Sequence, residues 1–143
     1  MVKLDFMQQI NAPVEKVFPF VTDFRNNTKW QSGIIESSQT PDGPTQVGTL
    51  NKVVRTFLGQ RIEATIEVVE LVPNKKFAIR SVNAPIHLNM QQTYEPADGG
   101  TKINIHVEME GAGFFKLAEG ALAGNLKKEF EAQTQKLKEL MEA

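Results

Sequence analysis

The chain contains no cysteine. Disulfides, thiol nucleophiles and cysteine-ligated metals are therefore excluded, and the composition suits a reducing, cytoplasmic setting. Net charge is also nearly absent: 16 Lys and Arg stand against 17 Asp and Glu, for a formal balance of −1. Nothing attracts a polyanion over long range, so nucleic acid is not an expected partner. There is no long apolar run. Lys3 and Asp5 interrupt the N-terminal stretch, so neither a signal peptide nor a transmembrane segment is expected there. Asn26-Asn27-Thr28 matches a glycosylation sequon only by chance in that setting. No nucleophile elbow, phosphate loop or zinc-ligand spacing occurs. Gly111-Ala112-Gly113 echoes a dinucleotide fingerprint, but Lys116 stands where the third glycine belongs and no strand follows. No cofactor and no metal are expected.

What is present is a chain of ordinary globular composition. Its 143 residues, 41% hydrophobic and 23% charged, suit one domain, 1–143, with a real core. The last thirty residues organise it. Phe115, Ala118, Leu122, Leu126, Phe130, Gln133, Leu137 and Leu140 recur at spacings of three and four. They mark one side of a long helix from Phe114 to Ala143. Lys116, Glu119, Lys127, Lys128, Glu131, Lys138 and Glu142 supply its wet side. Gly120 and Gly124 slim its beginning, either to let a ligand approach or to pack closely against a strand.

Upstream, strand signals dominate. Val2, Leu4, Phe6, Gln8 and Ile10 alternate with Lys3, Asp5, Met7 and Gln9 in a first, half-buried strand. Asn11-Ala12-Pro13 ends it and opens a helix, with Asn11 or the Ala12 backbone as the cap. Pro19 is expected to kink or shorten that helix. Asp23 caps a second short helical segment ending near Trp30. Six further strands follow, at about Ile34–Ser38, Val47–Leu58, Gln60–Leu71, Lys76–Val82, Ile86–Tyr94 and Ile103–Met109. Asp98-Gly99-Gly100 is a strong hairpin turn between the last two. Short connections favour an antiparallel meander.

The opening strand running into Ile10-Asn11-Ala12-Pro13-Val14-Glu15-Lys16-Val17-Phe18, then Val21-Thr22-Asp23, then Lys29-Trp30, resembles the START-like, helix-grip superfamily (SRPBCC). That superfamily includes polyketide cyclases and dehydratases and lipid-transfer domains. The final strand, glycine linker and long helix complete the resemblance, which covers essentially the whole chain. It implies an α+β fold: a seven-stranded antiparallel sheet curled around the C-terminal helix, with two short helices between strands 1 and 2. It also implies an apolar cavity between sheet and helix, but no particular ligand, because one fold hosts many functions.

Candidate contacts with a ligand are Trp30, Phe57, Phe77, Ile79, Arg80, Met90, Gln92, Tyr94, Phe115, Leu122 and Leu126. Trp30 either touches a ligand at the cavity mouth or anchors the helix pair against the sheet. Gln92 and Tyr94 put polar atoms on an apolar wall, and their partner is either a ligand or water or a local hydrogen bond. Arg55 and Arg80 lie on strands without clean alternation, where a cavity or a surface position is open to each. His87 and His106 alternate with apolar residues and should face outward, as should Glu63 and Glu67.

Two functions fit. One is binding of a small hydrophobic or amphipathic ligand, lipid-like or polycyclic, in the cavity. The other is a cyclase- or dehydratase-type enzyme that uses the same cavity to fold a reactive chain, which requires a titratable residue inside it. A protein-interaction module is a weaker third reading, and it would show a large apolar patch on the outer surface. Ligand identity and oligomeric state are left open at this level.

Overall fold

The computed structural model describes residues 2–31, 33–57, 59–83, 86–111 and 119–143, with side chains for all of these except 57, 111 and 119–123. The described elements run β1 (Val2–Ile10), α1 (Val14–Thr22), a 3-10 turn (Phe24–Asn26), α2 (Asn27–Trp30), β2 (Ile34–Thr40), β3 (Leu50–Phe57), β4 (Gln60–Val72), β5 (Lys76–Asn83), β6 (Ile86–Ala97), β7 (Gly100–Gly111) and α3 (Glu119–Glu142). All seven strands form one antiparallel sheet in the order β1-β7-β6-β5-β4-β3-β2. Strands β2 to β7 are a meander in which each strand pairs with the next. The return of β1 to the far edge is long-range: Val2 sits opposite Met109 and Ile10 opposite Thr101.

Local chemistry explains most boundaries. The β6–β7 hairpin closes through Asp98 and Gly99, at φ 50° and 78°. Two consecutive positive φ values match the right-handed strand twist, and Asp-Gly tolerates them. Gly100 is required for another reason, since a Cβ there would overlap the Ile10 carbonyl oxygen. The Asp23 carboxylate accepts the Arg25 backbone N–H at 3.0 Å, which starts the 3-10 turn.

At one point the helical start differs from expectation. Pro13, not Asn11, precedes the first helical residue of α1, and no side chain caps it. The Asn11 backbone N–H instead donates to Glu142 Oε2 at 3.0 Å, tying the chain to the end of α3. Pro19 lies inside α1, which ends three residues later at Thr22. In a helix this short, proline removes one backbone bond near the end, and the Thr22 hydroxyl donates to the Phe18 carbonyl at 2.8 Å in the same turn.

Alternation decides which side chains face α3. The inner face carries Ile103, Ile105 and Val107 of β7 and Phe77 and Ile79 of β5. The outer face carries the exposed His87, and His106, whose Nδ1 lies 2.7 Å from the Asp5 carboxylate. Glu63 pairs with Arg61 at 3.0 Å, and Glu67 with Arg80 at 2.8 Å. On α3, Leu126, Gln133, Thr134, Leu137 and Met141 are buried. The C-terminal end of α3 is clamped: Lys16 Nζ donates to the Met141 carbonyl at 2.7 Å and Lys138 Nζ to the Gln9 carbonyl at 3.1 Å. The Lys16 cation on the Met141 carbonyl also suits the negative end of the helix dipole. Among the described residues, no helix is long and apolar enough to cross a membrane.

Candidate functional site: an apolar cavity with one polar end

Sheet and helix do not close on each other along their whole length. Beneath α1 they pack fully, with Ile10, Val17, Ile103, Val107 and Leu137 essentially without exposure. Toward β3 and β4 they part, leaving a cavity of about 150 Å3. Its floor is the inner face of β4 to β7: Ile62, Ala64 and Ile66, then Phe77, Ile79 and Ser81, then Ile86, Leu88, Met90 and Gln92, then Ile105 and Met109. Its roof is α3, through Leu126, Glu129, Phe130, Gln133 and Thr134. These five sit at spacings of three and four, one face of one helix. Trp30 and Gln31, at the end of α2, form the side together with Phe24 and Val21.

The wall is apolar over most of its extent, and its polar groups gather toward β3 and α3. Arg55 Nη2 lies 3.6 Å from Glu129 Oε1, with about a quarter of each side chain exposed (24% and 28%). Burial pushes the Glu129 carboxyl above its ordinary range, and the Arg55 charge only partly opposes this. Burial likewise lowers the Arg55 guanidinium, with Glu129 opposing. The pair thus holds two partly desolvated charges at a separation too long for a good hydrogen bond. The other carboxylate oxygen, Glu129 Oε2, is buried and has no hydrogen-bond partner among the described residues, and the same is true of Trp30 Nε1.

The neighbouring amides are mostly committed. Asn51 Nδ2 donates to Ser37 Oγ at 2.9 Å and to the Ser38 carbonyl at 2.8 Å. Ser37 Oγ in turn donates to the Phe24 carbonyl at 2.9 Å, locking β2 and β3 to the 3-10 turn. Asn27 Nδ2 reaches Asn51 Oδ1 at 3.5 Å.

Of the residues proposed from the sequence, Trp30, Phe77, Ile79, Met90, Gln92 and Leu126 line this cavity. Two others are placed elsewhere. Arg80 follows Ile79 on β5, so it points to the opposite face, where its guanidinium donates to Glu67 at 3.0 and 2.8 Å. Tyr94 shares the inner face of β6 but lies beneath α1, packed edge-on against Phe18 at a centroid distance of 5.0 Å. Its hydroxyl donates to Gln92 Oε1, and burial holds its phenol well above the ordinary value. Gln92 and Tyr94 therefore satisfy one another locally. The side chains of Phe57 and Leu122, and all of Phe115, fall outside what is described. Gly124 is exposed, and a Cβ there would meet open space, so close packing does not account for it.

Sequence reasoning passed over Glu129, Asn51, Asn27 and Thr134, and left Arg55 open. A signal for Glu129 existed, because it stands three residues after Leu126 and four before Gln133, on the apolar stripe. The β3 pair was harder. Its inward positions, Asn51, Val53 and Arg55, are mostly polar, so hydropathy alternation does not reveal which way the strand faces.

Solved structures share this architecture at low sequence identity. The chain matches TTHA0849 from Thermus thermophilus with a TM-score of 0.82 at 15% identity, covering 96% of this chain and 94% of that one. It matches CV1439 from Chromobacterium violaceum with a TM-score of 0.74 at 17% identity, covering 99% and 97%. DynU16, a protein from the dynemicin biosynthetic locus, matches with a TM-score of 0.71 at 20% identity over all of this chain and 48% of its own length. At such identities the likeness establishes the fold alone. No curated protein is significantly similar in sequence. The family model described as polyketide cyclase / dehydrase and lipid transport matches residues 1–142. A helix-grip sheet with its inner face opened into a cavity beneath the long helix is the architecture in which that match sits, and the chain belongs to the polyketide cyclase/dehydrase and lipid transport family.

Proposed function

We propose that residues 1–143 act as one unit that binds a small, predominantly apolar molecule between the sheet and α3. The observation that carries this reading is the cavity itself. Protein interiors ordinarily fill such space, because an unfilled apolar wall forfeits its dispersion contacts. Here the inner faces of four strands and one face of α3 leave about 150 Å3 unfilled. The driving force would be burial of apolar ligand surface, about 25 cal/mol per Å2 before the costs of association. Family membership supports the same reading.

Ala64 offers the cleanest test, as a small residue on the cavity wall in mid-strand. Ala64→Phe should fill the space with an aromatic that suits a strand. Uptake of a fluorescent apolar probe should be saturable in the wild type and at least about tenfold weaker in the variant, with the unfolding midpoint kept. Equal uptake by both proteins would place the probe elsewhere and remove this cavity as the site.

A catalytic reading is favoured by one observation. Glu129 is a titratable group on the cavity wall, with a carboxyl that burial pushes above its ordinary value. General acid–base chemistry of the cyclase or dehydratase kind requires such a group. Under that reading Glu129→Gln would retain ligand binding and lose turnover.

A further inference from the structure

A second hollow lies against the cavity. A crevice of about 340 Å3 separates α2 from the middle of α3, with the exposed Thr28 and Lys29 on one side and Ala132 and Lys136 on the other. Cavity and crevice share three lining residues, Trp30, Gln31 and Gln133. At this seam one layer of side chains stands between the cavity and the surface.

That layer has no polar lock. Among the described residues, no hydrogen bond or ion pair joins α2 to α3, and neither the Gln31 nor the Gln133 carboxamide has a hydrogen-bond partner. Gln133 is only 5% exposed, and a buried amide without a protein partner is uncommon. A glutamine so placed changes rotamer without breaking a bond. The far end of α3 is built otherwise, with Lys16, Lys138 and Glu142 all bonded across to other elements. On the polar side of the cavity, parting β3 from α3 would also part Arg55 from Glu129, leaving two partly buried charges apart.

We propose that ligand enters and leaves the cavity through the seam between α2 and α3. Gln31 and Gln133 swing aside, and Trp30, packed in the core, is the fixed side of the passage. This rests on the cavity being the binding site.

The chain has no cysteine, so one introduced thiol is a unique attachment point. Ala132 is exposed and lines the crevice but not the cavity. A bulky maleimide on Ala132→Cys therefore covers the mouth from outside. Toluene is the probe: titration gives its Kd, and NMR magnetisation exchange gives its off-rate. A blocked path slows passage without changing the free energy of either end state. The label should slow both association and dissociation at least about tenfold and keep Kd within about twofold of the unlabelled variant. The same label on Glu139→Cys, exposed on α3 outside the crevice, should change neither rate. Gln133→Ala thins the wall and should raise the off-rate by about threefold or more. Unchanged rates with the label at position 132 overturn the inference and leave the cavity reading standing. Equal slowing by both labels overturns it too, as does a weaker Kd with an unchanged off-rate, which would put the label in the site rather than the path. Absence of saturable toluene binding to the wild type overturns the cavity reading and this inference together.

Discussion

The two ends of the space between sheet and α3 share the same strands and the same helix, yet they are built differently. Under α1 the polar groups are paired and the apolar groups are fully covered. Tyr94 donates to Gln92, and Thr101 Oγ1 donates to the Ala12 carbonyl at 2.7 Å. Toward β3, the Arg55–Glu129 pair is loose, Trp30 Nε1 has no partner among the described residues, and a void remains. The first end is what folding alone would select. The second carries the desolvated charges and unfilled volume that folding alone disfavours, which is where strain and cost gather when a site is kept for function.

The contrast can be broken most forcefully in the core. Leu137 is 2% exposed within the packed end, and Leu126 is 3% exposed but borders the cavity. Leu137→Ala should cost about 3–5 kcal/mol and Leu126→Ala about 2 kcal/mol, because a wall that already faces a void has fewer contacts to lose. Urea unfolding of both variants measures the difference, and equal losses would mean that the cavity closes in solution. Tyr94→Phe probes the polar side of the same contrast. It leaves Gln92 Oε1 buried without its donor and should cost about 1–2 kcal/mol, with no effect on ligand uptake. Loss of uptake in that variant would mean that the Gln92 amide, which lines the cavity, must be held by Tyr94 for the ligand to bind.

The smallest effect has the opposite sign. The Glu129 carboxyl titrates higher in the folded chain than its ordinary value near 4.5, chiefly through desolvation. Its neutral form is therefore favoured by folding. That contribution is complete below the unfolded value and is lost as pH rises through the raised one. Glu129→Gln should match the wild type in acid and be slightly more stable at neutral pH, by less than about 1 kcal/mol, since the pair is partly solvated. Unfolding midpoints across the pH range decide it. A less stable variant at neutral pH would make the attraction to Arg55 the larger force.

How much of this was legible varies with the kind of signal. Strands with apolar residues at every inward position, such as Ile86-Leu88-Met90 and Ile103-Ile105-Val107, announce their facing, although the strands run on past the apolar pattern to Ala97 and from Gly100 to Gly111. β3 does not, because Asn51 and Arg55 face inward beside Val53. Its side of the cavity emerges only when the hairpin to β4 sets the register, with Arg55 opposite Ile62. Arg80 illustrates the converse. It was a candidate by chemistry, but parity with Phe77 and Ile79 sends it outward.

Local periodicity, turn chemistry and contiguous motifs were enough for the elements, their order, the antiparallel meander, the long helix and the superfamily. Tertiary structure alone decided that Ile10 meets Thr101 across the chain, that Gln92 and Tyr94 satisfy each other, and that Arg55 from a strand meets Glu129 from a distant helix. No local pattern encodes such pairs. They arise where the register of a hairpin and the rotation of a remote helix bring two side chains to one point, and that point is where the cavity stays open.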